Sequence, residues 1–428
     1  MPLHFPNLSS GMTPRISSTR GLVNAGISCA LTLFASTTLA GPNWPASATI
    51  PVNLGGSLAG KYTDAAGKVF DGTGQTVVVI DGAFRPDHPA FMTAAGQSKI
   101  LEEACFGAKP GALWPTLCDR TSAPISSMLS GVRTEYYFLS LPKSSYPSDS
   151  PVNACRATNS GTGQLGYCHH YHGTATAGII AGQQTPRWES NVQTFYTGAA
   201  PGANVIVIKV GGGTGVDAPT QGWPIDSVVN ALWYVNGVLA PRYKSRQPIA
   251  AVSISASGSS IAGDPPCGNA ASDGARINAV AGELRAKGVA VVMAAGNSAV
   301  NGTGSWTCGN HVIPVGASGV LAASTPTDYT NISPRVALFA PVGHGNRSNL
   351  DYVLAPWDGF GSFYVWGTSF ATPQVAAAFA VLRQKFGPTP SVDSLLSRMQ
   401  STGTKLTGPR AALAGPTSSV LNIRAALN

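Results

Sequence analysis

The chain has 428 residues, 43% hydrophobic and 11% charged, against about 25% charged in an ordinary soluble protein. That composition supports a large buried core and excludes an intrinsically disordered chain. Lys and Arg number 27 against 19 acids, a formal net charge of +8. No basic stripe with interleaved aromatics is present, so the surplus gives no ground for a nucleic-acid partner.

Arg15 and Arg20 precede the apolar run GLVNAGISCALTLF (21–34), and Thr38 and Ala40 follow it as a small-residue pair. A basic segment, a short apolar run and small residues describe a secretory signal over 1–40, cleaved after Ala40. The run is too short to cross a bilayer, and no later segment reaches about eighteen uninterrupted apolar residues. The expectation is a secreted protein, extracellular or periplasmic, with no membrane partner after signal removal. Residues 41–70 read as a short N-terminal extension. Six cysteines remain beyond the signal: Cys105, Cys118, Cys155, Cys168, Cys267 and Cys308. An even number in an exported chain predicts disulfides, neighbour with neighbour if chain order is followed. No C-x-x-C pair is present, which argues against zinc.

Continuous apolar runs then recur: TVVVI (76–80), NVIVIKV (204–210), IAAVSIS (249–255), VAVVMAAG (289–296) and VALFAP (336–341). Lacking alternation, they suit strands buried on both faces of a parallel sheet. Helical segments alternate with them at DSVVNALWYVNGVL (226–239) and DGARINAVAGELRAKG (273–288), the second stopped by Lys287-Gly288. The pattern predicts an α/β fold, a doubly wound and mainly parallel sheet with helices on both faces. One domain over 71–428 is expected. The stretch from about 103 to 168, rich in Cys, Ser, Pro and Gly, reads as a stapled surface insertion.

Three places break this pattern. Asp81 follows a buried strand directly, at the end where α/β sheets place their ligands. His172, in HHYHGTATAGIIAG (169–182), stands before small residues suited to a helix packed closely on a sheet, with Gly178 and Gly182 allowing its approach. Ser369 lies in GTSFATPQVAAAFAVLRQKFGP (367–388), where Val375, Ala378, Phe379 and Leu382 mark a buried helix. Pro373 requires that helix to begin close to Ser369, so the serine occupies a helix N-terminus that favours developing negative charge. A serine nucleophile needs a base, and the base needs a carboxylate to fix its tautomer. Asn297, after a further buried strand, carries an amide able to donate to an oxyanion.

These stretches resemble the subtilisin-like serine proteases (subtilases, peptidase family S8), whose chain order is Asp, His, Ser. Asp81-Gly82-Ala83 resembles the D-[ST]-G box, HGTATAG the H-G-T-x-x-A-G box, GTSFATP the G-T-S-x-A-x-P box, and AAGN the oxyanion strand. The likeness covers roughly residues 70–428 outside the insertion. It implies a serine endopeptidase acting on protein or peptide substrates, with Asp81 orienting His172 and His172 deprotonating Ser369. Asn297 and the Ser369 N–H would hold the oxyanion. His172, not His169 or His170, is the base it implies. It also implies that substrate pairs near Ser255, Ala256, Ser257 and Gly258, with Ala294, Ala295 and Gly296 as the other wall of the side-chain pocket. No cofactor is required for this chemistry and no metal ligand is assigned; a structural calcium stays open but is not located, because HPAF (88–91) lacks the acid that often follows His-Pro at one such site. A monomer is expected.

The aspartate box departs from the family, because it lacks the hydroxyl that often supports the carboxylate. Between Ala40 and Asp81 only about forty residues remain, too few for the usual foldable prodomain. Those departures keep open an inert secreted binding protein on the same fold, and a peptide amine in place of water as acceptor would make the same residues a peptide ligase or cyclase. Asn301, Asn331 and Asn346 each begin a glycosylation-acceptor triplet.

Overall fold

A computed structural model describes residues 61–108, 123–124, 136–142, 170–183, 185–189, 192–210, 223–264, 266–320, 322–345, 351–356 and 362–428. The expected signal, most of the expected insertion, His169, Cys118, Cys155 and Cys168 lie outside these residues. A short hairpin of β1 (Tyr62–Thr63) and β2 (Val69–Phe70) leads into β3 (Thr76–Asp81). All six residues of β3 are buried, and alternate ones enter two different cores. Val77 and Val79 face one apolar layer, Val78 and Ile80 the other. The unbroken run TVVVI is therefore buried on both faces, as its lack of alternation predicts.

Next come β4 (Ile100–Ala108), β5 (Ala123–Pro124), β6 (Tyr136–Pro142), helix α1 (His170–Ala181) and the hairpin of β7 (Thr185–Glu189) and β8 (Val192–Tyr196). Then follow β9 (Asn204–Lys209), α2 (Ile225–Tyr234), α3 (Ala240–Tyr243), β10 (Ile249–Ile254), α4 (Asp273–Ala286) and β11 (Ala290–Ala294). The remainder is β12 (Val312–Ser318), β13 (Leu338–Pro341), the hairpin of β14 (Val353–Pro356) and β15 (Ser362–Val365), α5 (Thr368–Phe386), α6 (Val392–Thr402), β16 (Thr404–Lys405), β17 (Ser419–Val420) and α7 (Ile423–Leu427).

Eleven strands form the main sheet in the order β16-β17-β13-β12-β11-β10-β3-β9-β4-β6-β5. From β17 to β4 every pairing is parallel; β16 and β6 run against that direction, and β5 pairs antiparallel with β6 at the far edge. Helices α1 and α5 supply one buried layer and α2 and α4 the other. The fold is the expected doubly wound α/β arrangement with helices on both faces, and the parallel centre brings the C-terminal ends of β3, β10 and β11 to one edge.

Three details differ from the expectations. The stretch from about 103 does not begin as a surface insertion: Glu103 to Phe106 are buried in β4, inside the sheet. Gly178 does admit a close neighbour, but it is β14 rather than the main sheet, because a Cβ there would lie 2.3 Å from Pro356 Cγ. Asn331 is no glycan acceptor, since it is fully buried and its amide is hydrogen-bonded at both ends. Cys267 and Cys308 form a disulfide, the pairing of neighbours expected from chain order. Cys105 is also disulfide-bonded.

Candidate active site

β3 delivers Asp81 to the C-terminal edge of the sheet, where it is fully buried. A buried carboxylate must be paired or hydrogen-bonded. Its Oδ1 lies 2.7 Å from His172 Nδ1 and accepts the Gly82 N–H at 2.7 Å, while Oδ2 accepts the Thr176 hydroxyl at 3.0 Å. With the carboxylate on Nδ1, the neutral imidazole carries its proton there, which makes Nε2 the basic nitrogen.

His172 stands in the first turn of α1, which begins at His170 rather than after the histidines. Two contacts fix that turn against the chain leaving β3. A Cβ on Gly173 would lie 2.5 Å from the Ala83 carbonyl oxygen, so only glycine lets the helix sit so close. Thr174 Oγ1 accepts the Arg85 N–H at 2.8 Å. The rings of Phe370 and Trp223 flank the imidazole at 5.3 and 6.3 Å between centroids. Burial disfavours the imidazolium, but the charge and hydrogen bond of Asp81 outweigh it and raise the His172 pKa above the usual histidine value.

Ser369 is the second residue of α5, preceded by Thr368 and the N-cap Gly367. Gly367 has φ +117°, a conformation that favours glycine. The Ser369 amide is among those a helix start leaves without an intrahelical acceptor. Pro373, four residues on, has no N–H to give the Ser369 carbonyl, and the Ser255 hydroxyl takes that place at 2.6 Å. In return the Ser369 hydroxyl donates to the Ser255 carbonyl at 3.2 Å.

Asn297 follows β11 and is oriented by Thr368. Its Oδ1 accepts the Thr368 N–H at 2.9 Å and the Thr368 hydroxyl at 2.8 Å. With the oxygen so engaged, Nδ2 is the end left to donate, and it faces Gly367. Asn331 braces the loop from behind. Its Nδ2 donates to the Ala295 carbonyl and to Ser260 Oγ, and its Oδ1 accepts the N–H of Ser298 and of Val300.

The residues assigned to substrate lie at the ends of the adjacent parallel strands β10 and β11. Ser255 is buried, whereas Ala256, Ser257 and Gly258 are partly exposed; Ala294, Ala295 and Gly296 are buried. A Cβ on Gly296 would lie 3.2 Å from Ser257 Oγ, so the two segments adjoin. The carbonyls of Ser257 and Ser259 accept the N–H groups of Trp306 and Ser305, which closes that edge. The sequence gives no sign of Thr176 and offers Asn331 only as a glycan acceptor, because the partners that define their roles, Asp81 for the one and Ser260 and Ala295 for the other, are remote in the chain. Among the described residues, no three His, Cys, Asp or Glu side chains are grouped to hold a metal ion.

The fold and these residues define an α/β protein with a buried aspartate bonded to a partly exposed histidine and a helix-borne serine at the carboxyl edge of a parallel sheet. Residues 72–411 match the family model Peptidase_S8, described as the subtilase family. The chain belongs to that family. An "Extracellular protease" of Xanthomonas campestris pv. campestris is 29% identical over 237 residues, covering 54% of this chain and 36% of that protein. The chain thus matches only about a third of that relative's length. Among solved structures, one titled as proteases from Pseudoalteromonas arctica PAMC 21717 aligns with a TM-score of 0.52 and 22% identity, over 84% of this chain and 90% of that one. A cold-adapted subtilisin-like serine proteinase aligns with a TM-score of 0.45 and 18% identity, over 82% and 88%.

Proposed function

We propose that the protein is an exported serine endopeptidase that hydrolyses protein or peptide substrates through a Ser369 acyl-enzyme. The observation that carries the reading is the 2.7 Å bond from His172 to the buried Asp81 in a chain of this family. Substrate pairs with the backbone of 255–258, with its carbonyl carbon over Ser369. The Ser369 hydroxyl turns from the Ser255 carbonyl to His172 Nε2 and gives up its proton as Oγ attacks. Charge builds on the substrate oxygen, where Asn297 Nδ2 and the Ser369 N–H donate to it. His172 then hands its proton to the leaving amine as the C–N bond breaks. Water, deprotonated by the same nitrogen, releases the acid and restores Ser369. No cofactor enters any step, and a monomer suffices because every group comes from one chain.

The test is the intact mass of the secreted protein before and after a fluorophosphonate, with peptide mapping. The expected result is an adduct on Ser369, absent in Ser369→Ala and lost in His172→Ala, and an unlabelled mass that begins at Gly41. A folded protein that takes up no label overturns the reading.

A further inference from the structure

We propose that Thr176 is a positioning residue for Asp81, supplying from helix α1 the hydroxyl that the Asp81-Gly82-Ala83 stretch lacks. The inference rests on the roles just proposed for Asp81 and His172. Among the described residues Asp81 accepts three hydrogen bonds, and they are unevenly divided. Oδ1 receives both the Gly82 N–H and His172, whereas Oδ2 is held by the Thr176 hydroxyl alone. Both Asp81 and Thr176 are fully buried, so water does not replace that donor. An ionised oxygen without a partner in such a place is costly, and a donor aimed at it both stabilises the charge and fixes the plane of the carboxylate. Fixing that plane fixes where Oδ1 meets Nδ1.

The placement follows from helix geometry. Thr176 is four residues after His172, so both side chains leave the same face of α1 and reach the two oxygens of one carboxylate. The Thr176 hydroxyl also lies 3.0 Å from the Gly173 carbonyl, but it has one proton, and the charged acceptor is the stronger partner. The neighbouring box residues do other work: Gly173 admits Ala83, and Thr174 takes the Arg85 N–H. Thr176 falls on an unspecified position of H-G-T-x-x-A-G, which is why box matching passes over it.

The experiment is an NMR titration of His172 in the full protein, its resonance assigned among the seven histidines with His172→Gln, in wild type, Thr176→Val and Thr176→Ser. A carboxylate stripped of a donor holds a neighbouring proton more tightly. Thr176→Val is therefore expected to move the His172 midpoint to higher pH, and Thr176→Ser to leave it in place. In parallel, kcat is expected to fall about 10- to 100-fold in Thr176→Val with KM little changed, the effect of one hydrogen bond to a charged group. A folded Thr176→Val protein with the wild-type titration overturns the inference. So does Thr176→Ser disturbed as much as Thr176→Val. If the titration responds as expected but wild type cleaves no peptide, the inference stands and the proposed function falls.

Discussion

Ser255 and Ser369 exchange hydrogen bonds, each hydroxyl donating to the other's carbonyl, at 2.6 and 3.2 Å. The first bond repairs a gap that Pro373 makes in helix α5, and the second holds the proposed nucleophile's proton until substrate arrives. Ser255→Ala leaves the Ser369 carbonyl unpaired in a partly buried site. A loss of about 1–3 kcal/mol in unfolding free energy is expected, read as a lower urea midpoint at unchanged m. Adding Pro373→Ala restores an N–H for that carbonyl and is expected to recover part of the loss. A Ser255→Ala protein as stable as wild type would remove the repair from the account.

Thr368 sets the orientation of Asn297 through two bonds to one oxygen. Two variants separate the donor from its support. Asn297→Leu removes the amide and is expected to lower kcat by about 10²–10³, the range for one oxyanion donor in subtilisin-type enzymes. Thr368→Val keeps the amide but loses the hydroxyl that steers it, so a smaller fall in kcat is expected, with KM nearly constant in both. A change confined to KM would mean that Asn297 binds substrate without favouring the transition state.

The strands that the sequence displayed were those buried on both faces by aliphatic residues, such as β3 and β9. Two core strands were hidden. β4 carries Glu102 and Glu103, and Glu102 is accommodated by Tyr234, Tyr243 and Arg242, which come from more than a hundred residues away. β12 is interrupted by Pro314 and Gly316, and a Cβ on Gly316 would lie 2.4 Å from the Phe339 ring, so its small residue answers a neighbouring strand. The candidate site divides the same way. Asp81, His172, Asn297 and Ser369 were legible because each stands at the end of an element. Thr176 and Asn331 were not, since each acts by a hydrogen bond across the fold.

The disulfide between Cys267 and Cys308 closes a loop with a sequence separation of 41. Chain-entropy reasoning gives such a cross-link about 4 kcal/mol. Its second cysteine lies just beyond the residues that pair with Ser257 and Ser259 along the closed edge of the substrate segment. Cys267→Ser with Cys308→Ser is expected to lower stability by up to that amount and to raise KM more than it lowers kcat. Peptide kinetics with a long and a short substrate check the second part: a KM penalty that grows with peptide length follows if that segment carries the substrate strand. A variant with wild-type KM for both peptides would separate the disulfide from binding.

The Asp81–His172 pair predicts opposite pH trends for stability and rate. The folded-state pKa of His172 is raised above its unfolded value by Asp81, despite burial. The stabilisation from the charged pair is therefore fully present below the unfolded value, about 6.5, and is lost as pH rises through the folded one. Catalysis needs the imidazole neutral, so kcat/KM is expected to rise across that same interval, with its acid limb above the ordinary histidine range. Asp81→Asn removes the charge that raises the pKa, and the limb is expected to move to lower pH while kcat falls by up to about 10⁴-fold, as when a triad carboxylate is replaced by its amide. Urea midpoints and kcat/KM measured on one set of buffers from pH 5 to 9 decide the matter. A flat rate over that interval, or an acid limb that stays in place in Asp81→Asn, would show that His172 is not the titrating base.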